Sequence, residues 1–223
     1  MSTRRTLWFA SLFLVALVGL ASAATPKFTI SGIGGLSMPN GDFADEQKFN
    51  ASSGFTLGAG ADMILNDHFA VGLDGSWSSN KHADEGKTIY FYDDTGTVLG
   101  SATYTKDKFT TSQIGIHGKL LFPSTGPLSA YGLLGVGMYN VTEKWEGTVT
   151  PSGGPSFADN DKQSTDGRAG FKIGVGGEYK VNPMWGIGAE ADFNSISQDE
   201  EKVGVSTLSY ITVRAVFTAH LGL

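Results

Sequence analysis

Four charged residues near the C-terminal end could form a mutually compensating group: Lys172, Glu190, Asp192 and Arg214. If the segments carrying them are adjacent antiparallel strands, hairpin counting about Asn182-Pro183 sets Lys172 beside residues 192–194. Counting across the next connection, centred near residue 202, sets Arg214 opposite Glu190. Two acids flanked by two bases on one strand face make an ion-pair cluster, and buried charges persist only when paired and hydrogen-bonded. The expected role is structural: to fill an interior and fix the register of the last three strands. His117 and His220 fall on the same kind of polar face and are expected to fill it as well. Asp159, Asp161 and Asp166 lie in a polar segment and are expected to be solvated rather than to hold a metal. The Gly pairs, such as Gly34-Gly35, precede no helix and form no phosphate loop. No catalytic, cofactor-binding or metal-binding set emerges, and the chain is expected not to be an enzyme.

The elements that must hold these charges are strands. Residues 54–66 alternate, with Phe55, Leu57, Ala59, Ala61, Met63 and Leu65 on one face and Asp62 on the other. After the turn pair Asn66-Asp67 the alternation resumes, with Phe69, Val71, Leu73 and Trp77 opposite Gly72, Asp74 and Ser76. Similar segments are found at 27–38, 109–122, 168–181, 184–197 and 207–223, and less clearly at 128–142. That makes eight strands of about 11 to 17 residues, whereas a membrane strand needs about 9–11 and a globular strand usually has 5–6.

The charges divide between the faces without exception. Asp62, Asp74, Lys119, Lys172, Glu178, Lys180, Glu190, Asp192 and Arg214 all lie opposite the aliphatic residues. A soluble barrel would be apolar inside and charged outside. A charge-free outer face suits lipid, where Lys or Arg at mid-bilayer costs about 2–4 kcal/mol. An open sheet would leave backbone groups unsatisfied in hydrocarbon, so the sheet must close. The expected fold is all-β: a closed antiparallel transmembrane β-barrel of about eight strands.

Connections and aromatic residues fit this plan. The turns at 66–67, 123–127 and 182–183 are short, whereas those at 39–53, 79–108, 143–167 and 198–206 are long and polar. Short periplasmic turns opposite long outer loops are the expected asymmetry. Residues 88–105 contain a hairpin too short to span a bilayer, expected to project beyond it. Phe69, Phe122, Tyr179 and Trp185 lie near the short turns; Phe55, Trp77, Phe109, Phe171, Phe193 and Tyr210 lie near the long loops. Eight residues separate Phe69 from Trp77, and eight separate Trp185 from Phe193. At ~3.3 Å per residue and a ~40° tilt this spans about 20 Å, so two aromatic girdles are expected.

The N-terminal segment supplies the route to such a membrane. Arg4 and Arg5 precede an uncharged run over 7–20, and Ala21-Ser22-Ala23 forms a cleavage pattern. The run has 14 residues, short of the ~20 that a spanning helix needs. A cleaved signal peptide is expected at 1–23 and one barrel domain at 24–223. The 14 basic residues left after cleavage against 22 acidic ones give a net charge of −8, which disfavours nucleic acid. There is no Cys, so no disulfide stabilises the exported chain. The 31 glycines are about twice the usual share and suit closely packed, curved strands.

The leader, the strand texture Gly174-Val175-Gly176-Gly177-Glu178-Tyr179 and Gly186-Ile187-Gly188-Ala189-Glu190, and the closing strand at 210–223 together resemble the small outer-membrane β-barrel family. That family includes the OmpA membrane domain and OmpX. The resemblance implies a monomeric protein of the outer membrane of a Gram-negative bacterium, with outer-membrane lipid as its surroundings. It implies a structural role, or contact with a surface ligand or host molecule through the outer loops. A narrow pore for small solutes, a lipid A-modifying enzyme and a soluble periplasmic lipocalin-like barrel are the alternatives. The deacylase kind of lipid A enzyme implies a His-x-Ser pair. None of His68, His82, His117 and His220 has a serine two residues on.

Overall fold

The computed structural model describes residues 27–122, 124–199 and 205–221. The expected signal peptide at 1–23 lies outside the described residues. Nine strands are described: β1 (Lys27–Asn40), β2 (Ala51–Ile64), β3 (Phe69–His82), β4 (Thr88–Tyr92), β5 (Val98–Phe122), β6 (Leu128–Pro151), β7 (Phe157–Lys180), β8 (Trp185–Ser197) and β9 (Thr207–Leu221). All pair antiparallel. β1 pairs with both β2 and β9, and β3 pairs with β5, so eight strands close a ring that leaves β4 outside it.

Closure satisfies every strand edge at membrane depth. The faces follow from the alternation. Leu73, Ile114, Leu134, Val136, Ile173, Val175 and Val213 point outward and are exposed on the isolated chain. Asp62, Asp74, Lys172, Glu190, Asp192 and Arg214 point inward and are buried. An uninterrupted exposed apolar belt around a closed barrel is a lipid-facing surface.

Two of the short turns share one device. The side chain of Asn66 accepts hydrogen bonds from His68 N (2.8 Å) and Phe69 N (2.9 Å). Asn182 does the same for Met184 N (2.8 Å) and Trp185 N (2.9 Å). A short side-chain acceptor thus takes up the turn amides and lets the next strand begin at an aromatic residue.

Two expectations are corrected. The connections at 79–108 and 143–167 are largely strand. β5 begins at Val98 and runs 25 residues, and β6 and β7 run 24 each. Pairing between β5 and β6 continues out to Gly100 opposite Pro151, far beyond the last β3–β5 pair, Lys81 with Lys108. β4 pairs with this outer part of β5, from Thr88 opposite Thr103. A four-stranded sheet, β4-β5-β6-β7, therefore projects from one side of the ring. Outside the bilayer neither face must be apolar, so this stretch lacks the alternation that marks a membrane strand.

The second correction concerns the girdles. Phe55, Phe69, Trp77, Phe122, Phe171, Tyr179 and Trp185 do face outward, but Phe109 and Tyr210 are 1% and 2% exposed inside the outer mouth. Their neighbours on the lipid face are Thr110 and Ile211, so strand parity turns them inward. There they pack with Phe43, Tyr139, Val141, Ile196 and Leu208 in an apolar cluster. Phe43 is delivered by the 3-10 turn Gly41–Phe43, and its ring meets Phe109 edge-on at 5.3 Å. The true girdles contain paired rings: Phe55 with Trp77 at 5.3 Å on the outer side, and Trp185 with Phe217 at 5.1 Å on the inner.

Leu73 lies midway between Phe69 and Trp77 on the lipid face. Leu73→Arg is expected to destabilise the barrel by about 2–4 kcal/mol in bilayer refolding titrations. Thr148→Arg, on the projecting sheet, is expected to cost under about 0.5 kcal/mol. Equal costs at the two positions would show that residue 73 does not face lipid.

Candidate functional site

The barrel interior has two layers, and the lower one is electrostatic. Arg214 on β9 lies directly opposite Glu190 on β8. Its guanidinium contacts both the Glu190 and the Asp192 carboxylates. Thr212 Oγ1 donates to Asp192 Oδ2 (3.1 Å), and Tyr131 OH donates to Glu190 Oε2 (2.7 Å). Lys172 is opposite Asn194 in register, as hairpin counting places it. Its ammonium, however, does not bridge to the β8 acids. It crosses the lumen to the carboxylate of Asp74 on β3. The expected four-residue group is thus three residues joined through Arg214, with Lys172 committed elsewhere.

Asp74 belongs to a second chain of contacts. His117 Nδ1 faces Asp74 Oδ1 at 2.8 Å, and His117 Nε2 faces Asp62 Oδ1 at 2.6 Å. Lys119 donates to Asp62 Oδ2 (2.7 Å) and sits 4.8 Å from the centre of the Tyr131 ring. Tyr131 therefore touches both halves of the network. With carboxylates at both ring nitrogens, His117 can satisfy both only as the imidazolium, because a neutral ring has one N–H. The count then closes. Asp62, Asp74, Glu190 and Asp192 carry four negative charges, and Lys119, Lys172, Arg214 and His117 carry four positive ones.

Packing leaves little room for water here. The cavity bordered by Asp74, His117, Lys119, Lys172, Glu190 and Arg214 is about 10 Å³, at the lower limit for one water molecule. Glycines make this density possible. A Cβ at Gly72 would lie 2.2 Å from Asp62 Oδ1, and one at Gly174 would lie 2.1 Å from Asp192 Oδ1. The second Gly thus belongs to the same strand texture that carries the family resemblance.

Sequence parity places Asp62, Asp74, Lys119 and His117 on the inner face, but it does not reveal whom they meet. β3 and β7 are not neighbours in the ring, so the Lys172–Asp74 contact lies outside hairpin arithmetic. His220 Nε2 donates to Glu178 Oε1 (2.9 Å) at the short-turn end, inside an open vestibule of about 490 Å³.

The upper layer is the apolar cluster around Phe43, Phe109 and Tyr139. Beyond the outer girdle, on the projecting sheet, the charges are solvent-bathed pairs. Glu146 accepts from Lys106 (2.8 Å) and Lys144 (2.6 Å), and those bonds hold its carboxyl down to about 2. Among the described residues no cluster of three metal-ligating side chains occurs.

Arg214→Met is expected to cost about 3–5 kcal/mol, because it leaves Glu190 and Asp192 buried without a cation. Adding Glu190→Gln should recover part of that loss. Lys172→Met should couple in the same way with Asp74→Asn, its direct partner, and more weakly with Asp192→Asn. Additive losses for Arg214 and Glu190 would show that the pair is not energetically joined.

Comparisons with known proteins agree with this architecture. Residues 9–217 match the outer membrane protein beta-barrel domain family. Neisserial surface protein A is similar in structure, with a TM-score of 0.52 and 14% identity over 88% of this chain and 99% of that one. A major outer membrane protein from Thermus thermophilus also has a TM-score of 0.52, with 13% identity over 87% of this chain and 100% of that one. Comparison with curated protein sequences finds no match. A closed eight-strand ring with a lipid-compatible exterior and a charge-filled lumen, together with a family match over most of the sequence, shows that this chain belongs to the outer membrane protein β-barrel domain family and resides in the outer membrane.

Proposed function

We propose that this barrel acts at the cell surface through its outer extension, as a structural and surface-interaction protein rather than a pore or an enzyme. The observation that carries this reading is the division of labour between ring and extension. The ring is filled twice over, by the charge network and by the apolar cluster, which leaves no wide channel through it. Among the described residues, the projecting sheet has two open edges. Within those residues β4 pairs only with β5, and the outer half of β7 pairs only with β6. Unpaired strand edges are a template for added strands or extended peptides. The flank of β4 also displays Tyr90, Phe91 and Tyr92, of which Tyr90 and Tyr92 are more than half exposed. Exposed aromatic residues beside a free edge supply side-chain pockets to complement main-chain pairing.

Against an enzyme stands the absence of a nucleophile–base pair among the described residues. His117 has both ring nitrogens engaged by carboxylates, which leaves neither free to activate a hydroxyl. The surroundings of the ring are outer-membrane lipid; a surface ligand or host molecule would be the partner of the extension, and the barrel would be a monomer.

Three measurements on one expression strain test this reading. Protease added to intact cells is expected to cut within 83–107 or 151–157. Planar bilayers holding the purified protein should stay without conductance steps. Lipid A masses should be unchanged by expression. Cleavage only after the outer membrane is opened, discrete conductance, or a modified lipid A would each overturn the proposal.

A further inference from the structure

At the outer mouth, above the apolar cluster, is a cavity of about 200 Å³. Its walls are Phe49, Phe109, Val141 and Leu208, and its polar lining is Glu143, Gln163, Thr165 and Gln198. Two features of this lining stand out. Both amide atoms of the Gln198 side chain are buried with no hydrogen-bond partner among the described residues. Leaving buried polar atoms unpaired costs about 1–3 kcal/mol each, so a bound group that pairs with them is favoured at this place. Glu143 makes no ion pair among the described residues either, although its outward-facing neighbour Lys144 does. Lys144 is held by Glu146 at 2.6 Å, and Lys108, like Lys144, points away from the lumen.

We propose that this cavity binds a small primary organic ammonium with an apolar or aromatic body. The chemistry matches group by group. An ammonium has three N–H donors and no acceptor, and here it meets a carboxylate and a free amide carbonyl. The rings of Phe49 and Phe109, edge-on at 5.9 Å, line the space that the apolar body would fill and offer faces to a cation. An anion would meet Glu143 and, behind it, Asp107 on β5. A neutral ligand would leave Glu143 without a counter-charge.

The cavity is short of positive charge. Burial, with a smaller contribution from Asp107, pushes the Glu143 carboxyl up to about 7. Asp107 is itself raised by burial, against the pull of His82, whose Nδ1 is 3.8 Å away, and with a push from Glu85 and Asp84. The other strands around Glu143 present Gln163 and the exposed Asp161 from β7, Gln198 from the end of β8, and Leu208 and Tyr210 from β9. None of these is a cation. Ammonium binding needs the ionised carboxylate, so it displaces the Glu143 proton. Apparent affinity should therefore rise about tenfold between pH 6 and pH 8.

The test uses the full-length mature protein refolded in detergent micelles, with benzylammonium, benzyl alcohol and benzoate as size-matched probes. Protein-observed NMR reads binding, and protein-free micelles correct for partitioning of each probe. Saturable shifts at Phe109, Val141 and Leu208 are expected with benzylammonium, at least tenfold weaker with benzyl alcohol and absent with benzoate. Glu143→Gln should weaken benzylammonium at least tenfold and leave benzyl alcohol unchanged. Gln163→Lys, which sets an ammonium opposite Glu143 on the paired strand, should also compete the probe out. Equal binding of the three probes, no saturation, tighter binding of benzoate, or unchanged affinity in Glu143→Gln would overturn the proposal. Heat-modifiable migration of both variants confirms that the barrel has folded in each case.

Discussion

The charge on each inward-facing side chain is the constraint from which the remaining structure follows. In hydrocarbon no ionised group can face outward at mid-depth without costing about 2–4 kcal/mol. Every ring-strand charge at that depth must therefore go inside, and once inside it must find a partner. Asp62, Asp74, Lys119, Lys172, Glu190, Asp192, Arg214 and His117 meet that condition together, because four acids balance three fixed cations only if His117 is protonated. The balance ties strands that are not neighbours, since Lys172 of β7 and Asp74 of β3 meet across the lumen. Register around the whole ring is thereby coupled: a one-residue slip of any strand would turn its charges to lipid and its aliphatic residues to the lumen.

The same constraint explains the glycines. Long charged side chains from opposite walls must cross a lumen only wide enough for side chains. Space for Asp62 and His117 is made at Gly72, and space for Asp192 at Gly174, where a Cβ would lie within 2.2 Å of a carboxylate oxygen. The Gly-rich texture of β7 and β8 is thus the complement of the acids on their neighbours. A side chain at either position would force the ion pairs apart.

How much of this was legible in the sequence depends on which side of the membrane boundary a residue lies. Within the bilayer, period-2 alternation had to be strict, so the eight ring strands, their facing and the Arg214–Glu190 register could be read from parity and hairpin counting. β6 alternated poorly because Leu133, Tyr139 and Val141 are apolar and yet face inward, serving the lumen rather than lipid. Beyond the girdle the physical demand for alternation disappears, and the outer halves of β5, β6 and β7 have the sequence character of polar loops. Height along the strand alone places Phe109 and Tyr210 in the girdle. Their parity, set by Thr110 and Ile211, had already turned them inward. The contact of Lys172 with Asp74 required knowing how the ring closes, which no local count supplies.

The apolar cluster at the outer mouth reconciles two demands that would otherwise conflict. Ion pairs in the lumen hold more tightly where water is kept out, because hydration loosens each pair and admits alternative partners. The short-turn end is open, with a vestibule of about 490 Å³ that reaches Asp62 and Lys119. Of the two ends it is the outer one that is sealed, and the fold does this by turning Phe109, Tyr139, Val141 and Tyr210 inward and laying Phe43 over them from the first outer connection. A strand that leaves the membrane with its inner face still apolar needs further cover, and the outward extension of β5, β6 and β7 provides the walls within which Phe49 and Leu208 pack. The projecting sheet thus has a reason to exist before any partner is considered. It continues the ring far enough to complete the seal, and its two free edges follow because, among the described residues, one side of the barrel alone is extended.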